Sequence, residues 1–162
     1  LSIFSLNVFS QEKTDSLIFN QINSIRKSEG FDDLRIDTSL CKISKNYALY
    51  VREYYNNLPF GNLKKQVNKM FKNTEDVYRD FFVEQKGYLP EDIKEIYLFM
   101  ASKNKLYSNE ELSNLVLSLL INNKENKQGV FYSDYTKIGI SCIWEQTFEY
   151  KQVIFCIISF EN

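Results

Sequence analysis

Glu95 and Glu111 are the two side chains on which hydrolytic chemistry would rest in this sequence. Its 162 residues include no histidine. The side chain that titrates nearest neutrality, also the commonest metal ligand, is therefore missing. Acid–base work would fall to carboxylates, Lys, Tyr or Cys. A carboxylate pair could hydrolyse peptide, polysaccharide or lipid if both acids converge in one cleft whose environments set their pKa values apart. The separation such chemistry uses is about 5–10 Å. Desolvation would raise the Glu95 carboxyl. A glutamate on an exposed strand edge is the plainer reading, because Glu is seldom buried.

Other groups suit binding rather than catalysis. Asn123 and Asn126, with Asn122, offer amide donors and acceptors for a cleft floor. Asparagine-rich loops also cap the preceding helix without any ligand. Tyr135, with Tyr132 and Trp144, would make an aromatic rim for a sugar or lipid, or would simply pack the turn and sheet. The three cysteines, Cys41, Cys142 and Cys156, contain no Cys-x-x-Cys pair and do not spell a zinc site. No metal ligands and no cofactor are expected.

The elements that must position these groups are clearest from Ser108 to Phe160. Leu112, Leu115, Val116, Leu119 and Leu120 recur at helical spacing, and Ser108 with Glu111 forms a capping box. A polar loop from Asn122 to Gly129 and a turn over Tyr132 to Thr136 lead into two strands. Lys137–Trp144 and Gln152–Phe160 are apolar on both faces, so each side of their sheet needs a cover. Centring the connecting loop on Glu149, about five residues around Thr147 to Lys151, opposes Ile143 to Phe155, Cys142 to Cys156 and Ile140 to Ile158. Facing residues there lie about 4.5–5.5 Å apart at Cα, which a disulfide accepts. Two buried thiols are the alternative. Cys41 reads as an isolated buried thiol in a helix.

Upstream, Thr14 or Asp15 caps a helix through about Glu29, with Ile18, Ile22 and Ile25 on one face and Gly30 as the stop. Leu34 and Ile36 point inward from a short link. Asp37 caps a second helix carrying Leu40, Ile43, Tyr47, Val51 and Tyr54, which ends before Pro59. Leu63, Val67, Met70 and Phe71 suggest a further helix whose other side bears Lys64, Lys65, Lys69 and Lys72, read as a solvated face. Phe81, Phe82 and Val83 look buried, and residues 87–90 form a turn. Residues 93–101 are apolar enough for a strand beside the terminal hairpin. The apolar residues 1–10 resemble the end of a signal peptide, with Val8 and Ser10 before a cleavage point at Gln11. No cysteine follows that point to mark a lipoprotein. Residues 11–162 make one domain, with no span of the membrane.

Lys plus Arg number 20 against 21 Asp plus Glu, a net charge of −1. Such balance steers neither nucleic acid nor an anionic membrane. Hydrophobic residues at 44%, with 15% aromatic, exclude a disordered chain.

Two segments in order carry a resemblance. The first is Ile22-Asn23-Ser24-Ile25-Arg26-Lys27-Ser28-Glu29-Gly30, then Leu34-Arg35-Ile36-Asp37 and Leu40. The second is Leu120 to Lys127, then Asp134-Tyr135-Thr136-Lys137-Ile138-Gly139-Ile140. Together they resemble the CAP superfamily (cysteine-rich secretory proteins, antigen 5 and pathogenesis-related proteins), whose second segment reads W-x-N-S-P-x-H-R … D-Y-T-x-I-G-V. The resemblance implies an α+β fold, a three-layer α-β-α sandwich with a central, mostly antiparallel sheet and a C-terminal β-hairpin. Two histidines and two acidic residues often line a cleft in that family and hold a divalent metal. Here Leu120 replaces the Trp, Asn123-Lys124 the Ser-Pro and Asn126 the second His. The first His, expected near Leu58–Asn62, is also missing. Glu95 matches an acidic position weakly, since Ile96 stands where the family has Asn. The expectation is a secreted or envelope-located, non-catalytic member with an unknown ligand or envelope partner. The carboxylate-dependent hydrolase and a lipid- or sterol-binding module are the alternatives.

Overall fold

The computed structural model describes residues 3–56, 76–89, 93–131, 134–147 and 149–162. Along these run α1 (Ile3–Ser28), β1 (Arg35–Ile36) and α2 (Thr38–Asn56). Helical residues 76–86, here α3, follow. The rest comprises β2 (Ile93–Ser102), α4 (Asn109–Asn122), α5 (Lys124–Phe131), β3 (Lys137–Glu145) and β4 (Gln152–Glu161). The helix proposed around Leu63 to Phe71, with its four lysines, and Tyr132 lie outside the described residues.

The strands form one sheet in the order β1-β3-β4-β2. β4 is antiparallel to both neighbours, and β1 adds a parallel edge to β3. The hairpin has the expected register, with Ile140 opposite Ile158, Cys142 opposite Cys156 and Ile143 opposite Phe155. Its loop spans residues 146–151, and Thr147 N–H donates to the Tyr150 carbonyl at 3.0 Å. Cys142 and Cys156 form a disulfide across the hairpin.

Both faces of the sheet are covered, which makes three layers. Ile138, Ile140, Cys156, Ile158 and Phe160 meet Ile18 and Ile22 of α1, Val116 and Leu120 of α4, and Val130 and Phe131 of α5. On the opposite face, Ile143, Phe155 and Ile157 meet Leu40, Ile43, Tyr47 and Val51 of α2 and Tyr78 and Phe82 of α3. Each fully buried aliphatic or aromatic side chain contributes about 1.5–3 kcal/mol relative to exposure.

The caps explain where most elements begin and end. The Ser108 side chain accepts from Glu111 N–H at 3.3 Å while the Glu111 carboxylate accepts from Ser108 N–H at 2.9 Å. Asp37 accepts from Leu40 N–H at 2.8 Å and starts α2. Gly30, at φ +85°, closes α1, with Phe31 N–H donating to the Arg26 carbonyl at 2.9 Å. The Asn23 amide locks the link that follows by accepting from Leu34 N–H at 2.9 Å and donating to its carbonyl at 3.0 Å.

Arg26, only 2% exposed, ties the end of α1 to the chain before β3. It donates to the carbonyls of Asp32 at 3.0 Å, Val130 at 2.8 Å and Tyr135 at 3.2 Å. Fixing the last carbonyls of α5 with a cation suits the negative end of that helix.

Five expectations need correction. α1 does not begin at Thr14 or Asp15 but continues without a break from Ile3. The expected loop after Asn122 is helical, because Asn123 caps it: Asn126 N–H donates to the Asn123 side chain at 3.0 Å. Ile36 is exposed, since a two-residue strand leaves its outer side uncovered. Leu119 and Val83 are likewise exposed, because the faces that α4 and α3 bury are narrower than their apolar content.

Gly139 lies where α2 crosses β3. A Cβ there would overlap the carbonyl carbon and Cβ of Leu40 and approach Cys41 N to 2.5 Å. Backbone cannot step aside as a flexible side chain can. Gly139→Ala is therefore expected to cost about 1–3 kcal/mol or more, read as a lower denaturant midpoint; an unchanged midpoint would refute this packing. Unreduced protein is expected to be lighter than reduced protein by two hydrogens and to present Cys41 as its single free thiol. Three titrating thiols under non-reducing, denaturing conditions would rule the bond out.

Candidate functional site

The short β1 leaves the edge of β3 away from β4 without a strand neighbour beyond Ile138 among the described residues. Strand edges carry unpaired backbone groups that have to be satisfied somehow. Side chains from the two flanking helices do this. Cys142 N–H donates to Asp15 Oδ1 at 2.8 Å, and the Ile140 backbone bonds the Cys41 thiol. α1 and α2 stand apart along this edge and enclose a cavity of about 410 Å³. That is within the range of small-molecule sites, about 300–1,000 Å³.

The cavity has a chemical plan. Glu12, Asp15, Ser16 and Phe19 line it from α1, Cys41, Lys42 and Lys45 from α2, and Ile36, Ile140 and Ser141 from the sheet edge. Glu12 to Phe19 sit at i, i+3, i+4 and i+7, one helical face. Asp15 has its pKa raised from 3.8 to about 7. Burial is the main cause; the Cys142 hydrogen bond opposes it, Glu12 adds to it, and Lys45 opposes it. Burial also pushes the Cys41 thiol up, against the hydrogen bond from Ile140 and with help from Asp15 and Asp37. A thiol held in that state is a poor nucleophile.

The residues singled out from sequence do not meet here. Asn123 is the cap of α5, and Asn122 donates to Ser118 Oγ at 3.2 Å. Tyr135 stacks on Phe160, ring centroids 5.7 Å apart, and its carbonyl serves Arg26. Asn126 is half-buried on α5. None of Asn123, Asn126 and Tyr135 lines the cavity.

Glu95 and Glu111 lie on opposite sides of the sheet. Glu95 is opposite Ser159 on β4 and shares the α2–α3 face with Tyr97 and Phe99. Its charge acts on Tyr78 and Tyr97, whose hydroxyl pKa values are raised first by burial and then by this carboxylate. Glu111 belongs to α4 on the other face. Lys105, 2.7 Å away, and the amide and hydroxyl of Ser108 hold its carboxyl at about 2. An exposed acid in that state cannot donate a proton near neutrality, and it shares no cleft with Glu95.

No known family's sequence profile matches this chain, and no characterised protein matches it in sequence. Solved structures do resemble it. An outer surface protein of Borrelia burgdorferi superposes with TM-score 0.58 at 18% identity, covering 92% of this chain and 92% of that one. A cysteine-rich secretory protein of Staphylococcus aureus superposes with TM-score 0.57 at 14% identity, covering 94% of this chain and 39% of that one. The fold is CAP-like. In this fold Asn126 lies in the first turn of α5, where its N–H donates to the Asn123 cap. Among the described residues, no three His, Cys, Asp or Glu side chains group as metal ligands.

The cavity was hidden in the sequence because Asp15 reads as a helix cap when α1 is started there. With the helix extended, Asp15 falls three and seven residues before Ile18 and Ile22, on the inward stripe. A carboxylate on a buried stripe is the signal that marks the site.

Asp15 gives the cavity a pH signature. Its folded pKa of about 7 exceeds the ordinary 3.8, so the folded chain holds the extra proton. Stability therefore falls as pH rises from about 4 through 7, the reverse of the usual carboxylate case. Asp15→Asn keeps an acceptor for Cys142 N–H and removes the titration. The variant is expected to melt above wild type at pH 8, by about 2–4 °C per kcal/mol relieved, and to converge with it at pH 5.5. An equal offset at both pH values would show that Asp15 does not titrate in this range.

Proposed function

We propose that this chain is a non-catalytic CAP-like domain acting as a binding module outside the cytoplasm, with its ligand taken into the cavity between α1, α2 and β3. The cavity itself carries the reading: a pocket of small-molecule size whose thiol, Cys41, is kept from the nucleophilic thiolate form by burial. The two acids that a hydrolase would need stand on opposite faces of the sheet. An outside location is supported by three features. The apolar residues 1–10 resemble a signal-peptide end. The paired sulfurs of the hairpin suit an oxidising compartment. The Borrelia protein of the same fold is an outer surface protein. No helix among the described residues is long and apolar enough to cross a membrane.

A lipid- or sterol-carrying role is the second reading, favoured by Phe19, Ile36 and Ile140 in the lining. The same experiment separates all three. Methyl-labelled protein titrated with pooled amino acids, short peptides, sugars, fatty acids and sterols should show shifts confined to Ile36, Ile140 and their neighbours. Assays on casein, peptidoglycan and simple esters should show no turnover. Hydrolysis abolished by Glu95→Gln would overturn the binding-module reading. A sterol or fatty acid as the sole binder would move the assignment to the lipid module.

A further inference from the structure

Opposite charges face each other across the cavity without closing on one another. Glu12 and Asp15 stand i, i+3 on α1, and Lys42 and Lys45 stand i, i+3 on α2. Lys45 is close enough to lower the Asp15 pKa. Yet among the described residues no ion pair within 4.0 Å joins either lysine to either acid. Phe19, Ile36 and Ile140 occupy the same lining. The two helices are held apart by packing elsewhere, α2 on Gly139 and α1 through Asp15 on Cys142.

From this charge plan we infer that the cavity takes a small zwitterion with an apolar body, such as a short apolar peptide, its ammonium toward Glu12 and Asp15 and its carboxylate toward Lys42 and Lys45. This deepens the binding-module reading and rests on it. Charge at both ends gives the ligand two charge-assisted contacts that an alkane or sugar would not make. Its side chains cover Phe19, Ile36 and Ile140, which removes apolar surface from water. Cys142 N–H occupies Asp15 Oδ1, leaving Oδ2 as the acceptor for the ammonium.

The groups facing Asp15 are Glu12 from its own helix, Lys45 and the Cys41 thiol from α2, and the Cys142 amide from β3. Binding an ammonium there requires the ionised form of Asp15, so affinity rises as pH passes through about 7 and falls again as the peptide's own amine, with pKa about 8, loses its proton.

The probe is leucyl-leucine, measured by calorimetry and by shifts at Ile36 and Ile140 against its N-acetyl and C-amide forms and against decanoate. Blocking either end should weaken binding about tenfold, near 1.4 kcal/mol. Asp15→Asn with Glu12→Gln should erase the difference between free and N-acetyl peptide, and Lys42→Met with Lys45→Met the difference between free and amidated peptide. Both variants are followed by melting, so that loss of fold is not scored as loss of contact. If a blocked peptide binds as tightly as the free one, or decanoate binds better, the zwitterion is wrong while the binding cavity stands. If neither peptide nor decanoate moves Ile36 and Ile140, and the pooled ligands above do not either, the cavity reading fails as well.

Discussion

Every residue of β4 is buried, and most of the architecture follows from that constraint. A strand with no exposed face cannot sit at a sheet surface, so it needs neighbours on both edges and helices on both sides. β3 and β2 supply the edges; α1, α4 and α5 roof one face and α2 and α3 the other. Burial on this scale presses the polar groups of β4 to find partners, and most do, although Gln152 Nε2 is left without one. Ser159 lies 2.8 Å from Ser44 Oγ and accepts from Tyr78 OH at 2.8 Å. Gln152 accepts from Tyr107 N–H at 2.8 Å. Glu161, at the strand's end, gathers Lys86, Tyr88 at 2.9 Å and Lys137 at 3.3 Å. Burial alone would raise its pKa, but those contacts outweigh it and leave the carboxyl below its ordinary value. Lys86 also reaches Asp37 at 3.2 Å, so one cation joins the start of α2, the end of α3 and the end of the sheet.

The cavity is the complement of this closure. The sheet is sealed along β4 and open along β3, because β1 stops after Ile36. A longer β1 would have paired the amides of Ile140 and Cys142 with backbone. In its absence, Cys41 and Asp15 supply the missing partners from helices that must stand apart to reach. A space bounded by side chains on one strand edge is the result. The same economy explains why Asp15 is tolerated: a carboxyl that satisfies an otherwise orphaned amide offsets part of its own desolvation.

Periodicity and pairing could be read from the residues wherever burial was complete. The register of β3 on β4, the need to cover both faces, the capping box at Ser108 and the Asp37 cap all follow from local pattern. Two kinds of feature could not be read so. The start of α1 was obscured because Thr14 and Asp15 are good capping residues, and only a tertiary partner shows that they serve another purpose: Thr14 donates to Asn109 at 3.0 Å, and Asp15 accepts from Cys142. The helix after Asn122 was obscured because a polar run has no apolar stripe to announce it. Its inward residues, Val130 and Phe131, come only in the last turn. Arg26 illustrates the same limit, since its carbonyl partners among the described residues, on Asp32, Val130 and Tyr135, come together only in the folded chain.

Asn123 and Asn126 show how the backbone fixes side chains at a helix junction. The link between α4 and α5 is one residue long, so whatever stands at Asn123 must end one helix and start the next. A short amide meets that demand, accepting from Asn126 N–H with its side chain while its carbonyl accepts from Lys127 N–H at 2.8 Å. That duty is set by the backbone and is indifferent to whether an imidazole follows. Asparagine at 126 therefore leaves the helix start, the Arg26 contacts beyond it and the hairpin untouched. The fold's stability resides in β4 and its covers, whereas the cavity is lined by groups along β3's open edge. Because those two sets share only β3 and the helix faces against it, side chains at the edge can vary with little effect on the rest.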